Sequence, residues 1–374
     1  MRVLSIAATT SWGVAVCLSL LLPRAPFFQT KPSPQVPTPP PAAAPAPTFA
    51  VAWQAVAGAV DGPQMAAGAD GVFVADAYGV RAFSAAAGTP LWTTELAVST
   101  PIAAGHGLVF VYADGSLRAL DQQTGAARWS SAVETPAGGV TAVPGGLVAA
   151  TGAVLRAWQP DGTPRWQIAL TAPAVAPIAA DGDRLFLALE DATLLSVGAA
   201  DGKPRWQHRI HALPERLIAA GGRIYFGGAD RAVYAFDQDG SEDPSWRFDV
   251  RAATIGAPAI DDRCVYVALM DNSIRAFRRG SGNLCWLMQL TLRPAAGPIL
   301  LGEELAVLTA TGSVAALDRQ TGRTIGAPFT APGVGPEGRP RLLAAAIAAD
   351  GSIVALTVAS GGQPTLTAFR RAAK

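Results

Sequence analysis

Residues 108–129 read LVFVYADGSLRALDQQTGAARW. An apolar run ends at an Asp-Gly turn, apolar and polar positions then alternate, and a second turn leads to a tryptophan. Short runs of this kind, rich in β-branched and aromatic residues and bounded by turn residues, predict strands. The pattern recurs almost from end to end. In the unit around residue 270, Ala257–Ile260 is a short apolar strand, and Asp261 and Asp262 turn the chain. Cys264–Leu269 is a second strand, Asp271 and Asn272 turn again, and Ser273–Phe277 alternates. Trp286–Leu290 follows a glycine-containing turn. Four strands fill the unit and leave no room for a helix.

The tryptophans give the period. Trp53, Trp92, Trp129, Trp166, Trp206, Trp246 and Trp286 are 39, 37, 37, 40, 40 and 40 residues apart, and Ile325 holds the next position, another 39 on. One four-stranded unit cannot bury both its faces, but stacked neighbours can. Third strands are predicted at Val80–Phe83, Leu117–Leu120, Leu155–Trp158, Leu194–Val197, Val233–Phe236, Ile274–Phe277, Val314–Leu317 and Leu366–Phe369. The last of these eight has no fourth strand after it. The fourth-strand signature at Val51–Val56 has no three strands before it. Pairing the two shortages closes a ring and removes the open sheet edges. The expectation is an all-β, eight-bladed propeller of four-stranded antiparallel blades, its N-terminal strand completing the C-terminal blade. Seven blades is the main rival. An open stack would leave two exposed faces.

The turns have local causes. In Asp121-Gln122-Gln123-Thr124-Gly125 the aspartate can accept backbone N–H bonds and the glycine can take a positive φ; Asp318–Gly322 repeats it. The tryptophans read as packing anchors between radiating blades. Alanine-rich stretches such as 101–104, 177–180 and 256–260 are expected innermost, where only small side chains fit. The last unit diverges, with a Gly- and Pro-rich loop at Pro328–Pro340 and Gly361-Gly362-Gln363-Pro364 in place of the usual turn; it is expected to be the most mobile part or a binding rim.

Ahead of the repeats, Val3–Leu22 is apolar and uncharged behind Arg2. It fits a transmembrane helix or a secretory signal. The lack of a small-x-small cleavage site favours an uncleaved anchor. Cys17 is a poor lipidation site, with bulky Val16 before it and apolar residues after it. Residues 23–48 are a Pro/Ala-rich linker of extended character. The expected organisation is an anchor or signal at 1–22, a linker at 23–48 and a propeller at 49–371. The propeller is placed in the periplasm, anchored in the inner membrane or released after cleavage.

Charge and motifs add exclusions. The net charge is +1 and half the residues are hydrophobic. Such a chain offers no field for nucleic acid. Cys264 and Cys285 are predicted two strands apart, with Cα atoms about 9–10 Å from each other. That is beyond relaxed disulfide reach, so both are expected reduced and partly buried, with a strained bridge as the alternative. His208 and His211 lack a third metal ligand nearby, Glu215 being the one spatial candidate, and read as exposed polar residues. His106 lies in a Gly-His-Gly turn. Asp70, Asp114, Asp161, Asp181, Asp201, Asp261, Asp271 and Asp350 are turn residues. No nucleophile elbow, zinc helix motif, P-loop or dinucleotide fingerprint occurs. The expected catalytic, cofactor-binding and metal residues are therefore none, and no cofactor is implied.

The repeat Ala119-Leu120-Asp121-Gln122-Gln123-Thr124-Gly125-Ala126-Ala127-Arg128-Trp129 resembles that of pyrroloquinoline-quinone-type β-propellers. The resemblance spans about residues 51–371. In the quinoprotein dehydrogenase branch it implies an adjacent cysteine pair and calcium ligands, and this chain has no adjacent cysteines. In length and blade count it is nearest the BamB-type outer-membrane assembly scaffolds. That branch implies a non-catalytic, monomeric propeller that binds partner proteins through blade-connecting loops, a barrel-assembly machine among them, with membrane attachment through the N-terminal segment. The alternative is a quinoprotein-like enzyme, or a propeller that binds a small ligand in its central channel.

Overall fold

The computed structural model describes residues 48–98, 100–330, 341–359 and 362–372. Within them lie 32 strands in eight four-stranded antiparallel sheets. Blades 1 to 7 span 64–94, 103–132, 136–169, 179–209, 214–249, 254–289 and 299–329. Blade 8 joins three strands of 341–371 to Phe49–Val56. That N-terminal strand pairs with Thr365–Arg371, from Phe49 opposite Arg371 to Val56 opposite Thr365. The eight-bladed ring and its closure are as the sequence predicts. Each predicted third strand falls within an observed one.

The alternation along each second strand explains why blades need neighbours. In blade 4, Leu185 and Leu187 pack toward blade 3, while Phe186 and Ala188 pack toward blade 5. Both faces are apolar and both are covered. Eight such clusters form, one at each junction between consecutive blades, including blade 8 with blade 1. Burying one of these large side chains contributes about 1.5–3 kcal/mol, so the stability of the ring resides at the junctions. Outer strands face water on one side, and Pro204–Arg209 accordingly alternates exposed and half-buried positions. Toward the axis, backbones nearly touch: a Cβ on Gly256 would lie 2.5 Å from Gly297 N, and one on Gly138 2.5 Å from Pro177 N. The alanine-rich stretches do lie toward the axis, but the innermost strands also carry large side chains such as Leu217, Ile218 and Leu300.

Each tryptophan ties its blade to the next. The indole N–H of Trp53, Trp92, Trp129, Trp166, Trp206, Trp246 and Trp286 donates to a carbonyl in the following blade's third-to-fourth turn, at 2.8–3.1 Å. The ring lies flat over the glycine of that turn. Gly202 has φ +68°, and a Cβ there would meet Trp166 at 2.5 Å. The glycine is therefore required both by the turn and by the indole above it. Ile325 holds the eighth position, on blade 7, where no such turn follows. Blade 8 takes its third and fourth strands from the two ends of the chain, and Ala372 N–H to Thr48 O, at 2.8 Å, stands where the turn would be. Phe329 against Phe369, ring centroids 5.9 Å apart, and the Arg371–Glu304 ion pair serve that junction.

Three expectations change. The transmembrane helix is not among the elements of the structure: every described element is a strand, and no described helix is long and apolar enough to cross a membrane. The stretch on which it was placed, with Cys17 and the linker to residue 47, lies outside the described residues, as do 331–340 and Gly361 in the last unit. His208 is not simply exposed. Its ring lies between Trp206 and Phe236, with centroids at 4.7 and 5.5 Å, and neither ring nitrogen has a hydrogen-bond partner. Cys285 is exposed rather than partly buried.

Two predictions follow from these contacts. Gly202→Ala should cost about 1–2 kcal/mol from the left-handed backbone alone, with displacement of Trp166 in addition. Trp166→Phe, which keeps a ring but loses the bond, should cost about 0.5–1.5 kcal/mol. Urea unfolding should rank the glycine variant as the less stable. Burial lowers the pKa of His208 from 6.5, against a smaller opposing pull from Glu242. The folded value is below the unfolded one, so protonation favours unfolding. Stability should be full above about pH 6.5 and fall below it. His208→Phe should remove that slope and raise the urea midpoint, since two unpartnered nitrogens disappear.

Candidate functional site

Two kinds of turn meet at one rim of the propeller: those joining first to second strands, and those joining third to fourth. The pairing before each tryptophan shapes this turn face. In six blades the register slips by one residue there, leaving an extra residue: Ala52, Leu91, Arg128, Arg165, Arg205 or Cys285. A bulge bends the strand and re-aims its side chains. Leu91 is 47% exposed as a result, and Arg128 is also exposed.

An open cleft of about 1230 Å³ crosses this face from blade 1 to blade 3. Asp70, Leu91, His106, Gln123, Arg128 and Asp161 are among its walls. The walls are fixed by bonds between blades. His106, at φ +56°, donates from Nε2 to the Val143 and Gly146 carbonyls at 2.8 and 3.1 Å. The Gln122 carbonyl accepts from Trp92 while its side-chain amide donates to Leu108 O at 2.9 Å. Asp121 accepts from the Gln123 and Thr124 N–H groups, both at 2.9 Å, and pairs with Arg128 at 2.6 Å. The Arg128 guanidinium, with the Thr124 hydroxyl and the turn N–H groups, holds the Asp121 carboxyl down at about 2 against the opposing effect of desolvation. The pair is charged at any ordinary pH. The side chains of Gln123 and Leu91 make no such structural bond and are exposed.

Farther round the same face, arginines bind blades 5 to 7 together. Arg223 reaches Asp237 at 2.7 Å and the Arg279 carbonyl at 2.5 Å; Arg279 returns to the Tyr225 hydroxyl at 3.1 Å; Arg319 reaches Asp261 at 3.2 Å and Glu303 at 2.9 Å. Between blades 6 and 7 a cleft of about 140 Å³ contains Cys264 and Cys285. Both are free thiols, and their sulfurs are 3.2 Å apart. The sequence estimate concerned the backbone; the side chains lean toward each other across the strand between them.

The axis has a different character. A cleft of about 250 Å³ on the innermost strands is walled by Pro177, Ile178, Ala179, Leu217 and Ala219, with Arg216 as its one charged side chain. Carboxylates do not converge there. Among the described residues no group of three or more His, Cys, Asp or Glu is placed to hold a metal ion. His211 and Glu215 line none of these clefts. Of the aspartates read as turn residues, Asp161, Asp201, Asp261, Asp271 and Asp350 accept from the backbone N–H two residues on, whereas Asp181 accepts from the Gln238 side chain of the next blade. What the sequence reading missed is that the turns of three blades share one cleft. The signal was the residue before each tryptophan, whose outward direction depends on a bulge the linear pattern does not show.

Comparison with known proteins agrees with the propeller fold. No curated protein matches the chain. Among solved structures, BamB from Moraxella catarrhalis superposes with a TM-score of 0.60 at 17% identity, covering 71% of this chain and 85% of that one. The computationally designed Ika8 protein gives 0.66 at 14%, covering 85% and 99%. A quinohemoprotein alcohol dehydrogenase, ADHIIG from Pseudomonas putida HK5, gives 0.64 at 12%, covering 88% and 77%. At these identities the likeness is one of fold. The family described as outer membrane protein assembly factor BamB matches residues 43–137, 113–218 and 211–373. The chain therefore belongs to the BamB family of outer-membrane assembly factors, as a non-catalytic propeller scaffold.

Proposed function

We propose that the propeller works in the cell envelope, outside the inner membrane, as a docking platform in outer-membrane protein assembly. Its partner is a protein subunit of the barrel-assembly machinery, received on the turn face. The observation that carries this is the 1230 Å³ cleft spanning three blades, whose walls are held by inter-blade bonds while Leu91 and Gln123 remain available. A rigid surface loses little conformational entropy when a partner binds. An exposed leucine beside fixed charges has the apolar-centre, polar-rim character of a protein contact. The family match supports the partner class. The apolar stretch at 3–22 and the proline-rich spacer support an envelope location, and we assign 1–22 to targeting, 23–48 to the spacer and 49–371 to the propeller.

The test is cross-linking in native membranes, followed by affinity capture and quantitation of the barrel-assembly subunits recovered. Leu91→Asp and Gln123→Arg, both at exposed positions, should each lower recovery about tenfold, the loss of about 1.4 kcal/mol. Tyr78→Asp and Met270→Asp alter exposed residues on the opposite rim, in second-to-third turns, and should leave it unchanged. Loss of capture by the second pair alone would move the site to the opposite rim. Failure of the wild-type chain to recover any barrel-assembly subunit would overturn the assembly reading.

A further inference from the structure

The two cysteines of the propeller fall in one blade out of eight, at positions that other repeats fill differently. Cys264 begins its second strand, where blades 4, 5 and 7 have Arg184, Arg223 and Glu304. Cys285 is the bulge residue before Trp286, where blades 2, 3 and 4 have Arg128, Arg165 and Arg205. One strand separates them, yet the sulfurs are in contact at 3.2 Å. Both face blade 7. Cys264 belongs to the apolar cluster shared with that blade, and Cys285 stands at its open edge beside Trp286. Arg263, Arg278 and Arg319 surround the cleft that admits solvent to the pair.

From this placement we infer that Cys264 and Cys285 form a thiol–disulfide exchange site, oxidised to an intramolecular disulfide by an anionic disulfide compound. The exposed Cys285 thiolate attacks one sulfur of the incoming disulfide. A mixed disulfide forms, and the first thiolate leaves and takes up a proton. Cys264 sulfur then attacks Cys285 sulfur, breaking the mixed disulfide, and its proton passes to the second leaving thiolate. Two protein thiols lose two electrons, and one disulfide becomes two thiols.

The order of attack follows from burial. Cys264 is buried, and desolvation, with the hydrogen bond to Cys285, pushes its thiol up to about 12. It is a poor first nucleophile, but in contact with Cys285 it can resolve the mixed disulfide. Arg319 is paired with Asp261 and Glu303, but Arg263 and Arg278 make no ion pair among the described residues and favour an anionic reagent. Strands two ladder spacings apart are wider than a relaxed disulfide, so bridging must draw the bulged strand inward. Disulfides that need such movement are the readily reduced, exchangeable kind. Because Trp286 is the next residue, closure should also disturb its bond to Arg319 O, now 3.0 Å.

The test equilibrates the purified full chain with reduced and oxidised glutathione over a range of ratios, quenches with acid, alkylates free thiols and maps peptides by mass spectrometry. The expected result is joint loss of the Cys264 and Cys285 thiols, a linked 264–285 peptide, and a change in tryptophan emission that reverses on reduction. Cys264→Ser should stop at a glutathione adduct on Cys285, and Cys285→Ser should leave Cys264 as a thiol. A wild-type chain that stops at the Cys285 adduct would overturn the inference. So would one in which both thiols stay alkylatable at the most oxidising ratio.

Discussion

The contact on which this molecule depends is the indole of one blade lying on the turn glycine of the next. It does three things at once. It fills the gap that opens as sheets radiate from an axis, it satisfies a turn carbonyl, and it fixes the angle between neighbouring blades. Its N–H bond contributes only about 1 kcal/mol, but the ring buries large apolar area at the same place. Because each turn is held by the preceding blade, the turn face is assembled by the ring rather than by any one blade. A cleft that crosses three blades can then keep one shape without a helix or a long loop to brace it.

Much of this was legible in the linear pattern because the causes are local. Alternation within each strand, Asp and Gly at fixed turn offsets and a tryptophan every 37–40 residues each have a cause within a single repeat. What escaped was decided between strands. The bulge that turns Leu91 outward is a slip in pairing, not a residue type. The approach of Cys264 to Cys285 depends on how two side chains lean over a third strand; counting strand spacings gave the backbone separation and missed the sulfurs. His208 looked like a surface histidine because its strand alternates, yet Phe236, 28 positions away, covers its other face.

The two rims and the axis divide the chemistry. On the innermost strands a mostly apolar cleft has Arg216 as its one charged side chain. The turn face carries the clefts, the arginine ties and the thiol pair. The opposite rim exposes isolated apolar side chains such as Tyr78 and Met270 on short turns. The proposed docking site and the proposed thiol exchange thus share one surface, and a partner seated there would meet both.

The isoleucine at position 325 marks where the ring is sewn. A tryptophan there would have no turn to grip, because the next blade is made from the two ends of the chain. The break in the repeat and the break in the backbone are thus one event, recorded twice. If the chain were joined end to end and opened at another turn, the demand would move with it. Position 325 would then favour tryptophan, and the tryptophan facing the new opening would lose its purpose. The seam of a circular protein can in this way be found from one absent ring.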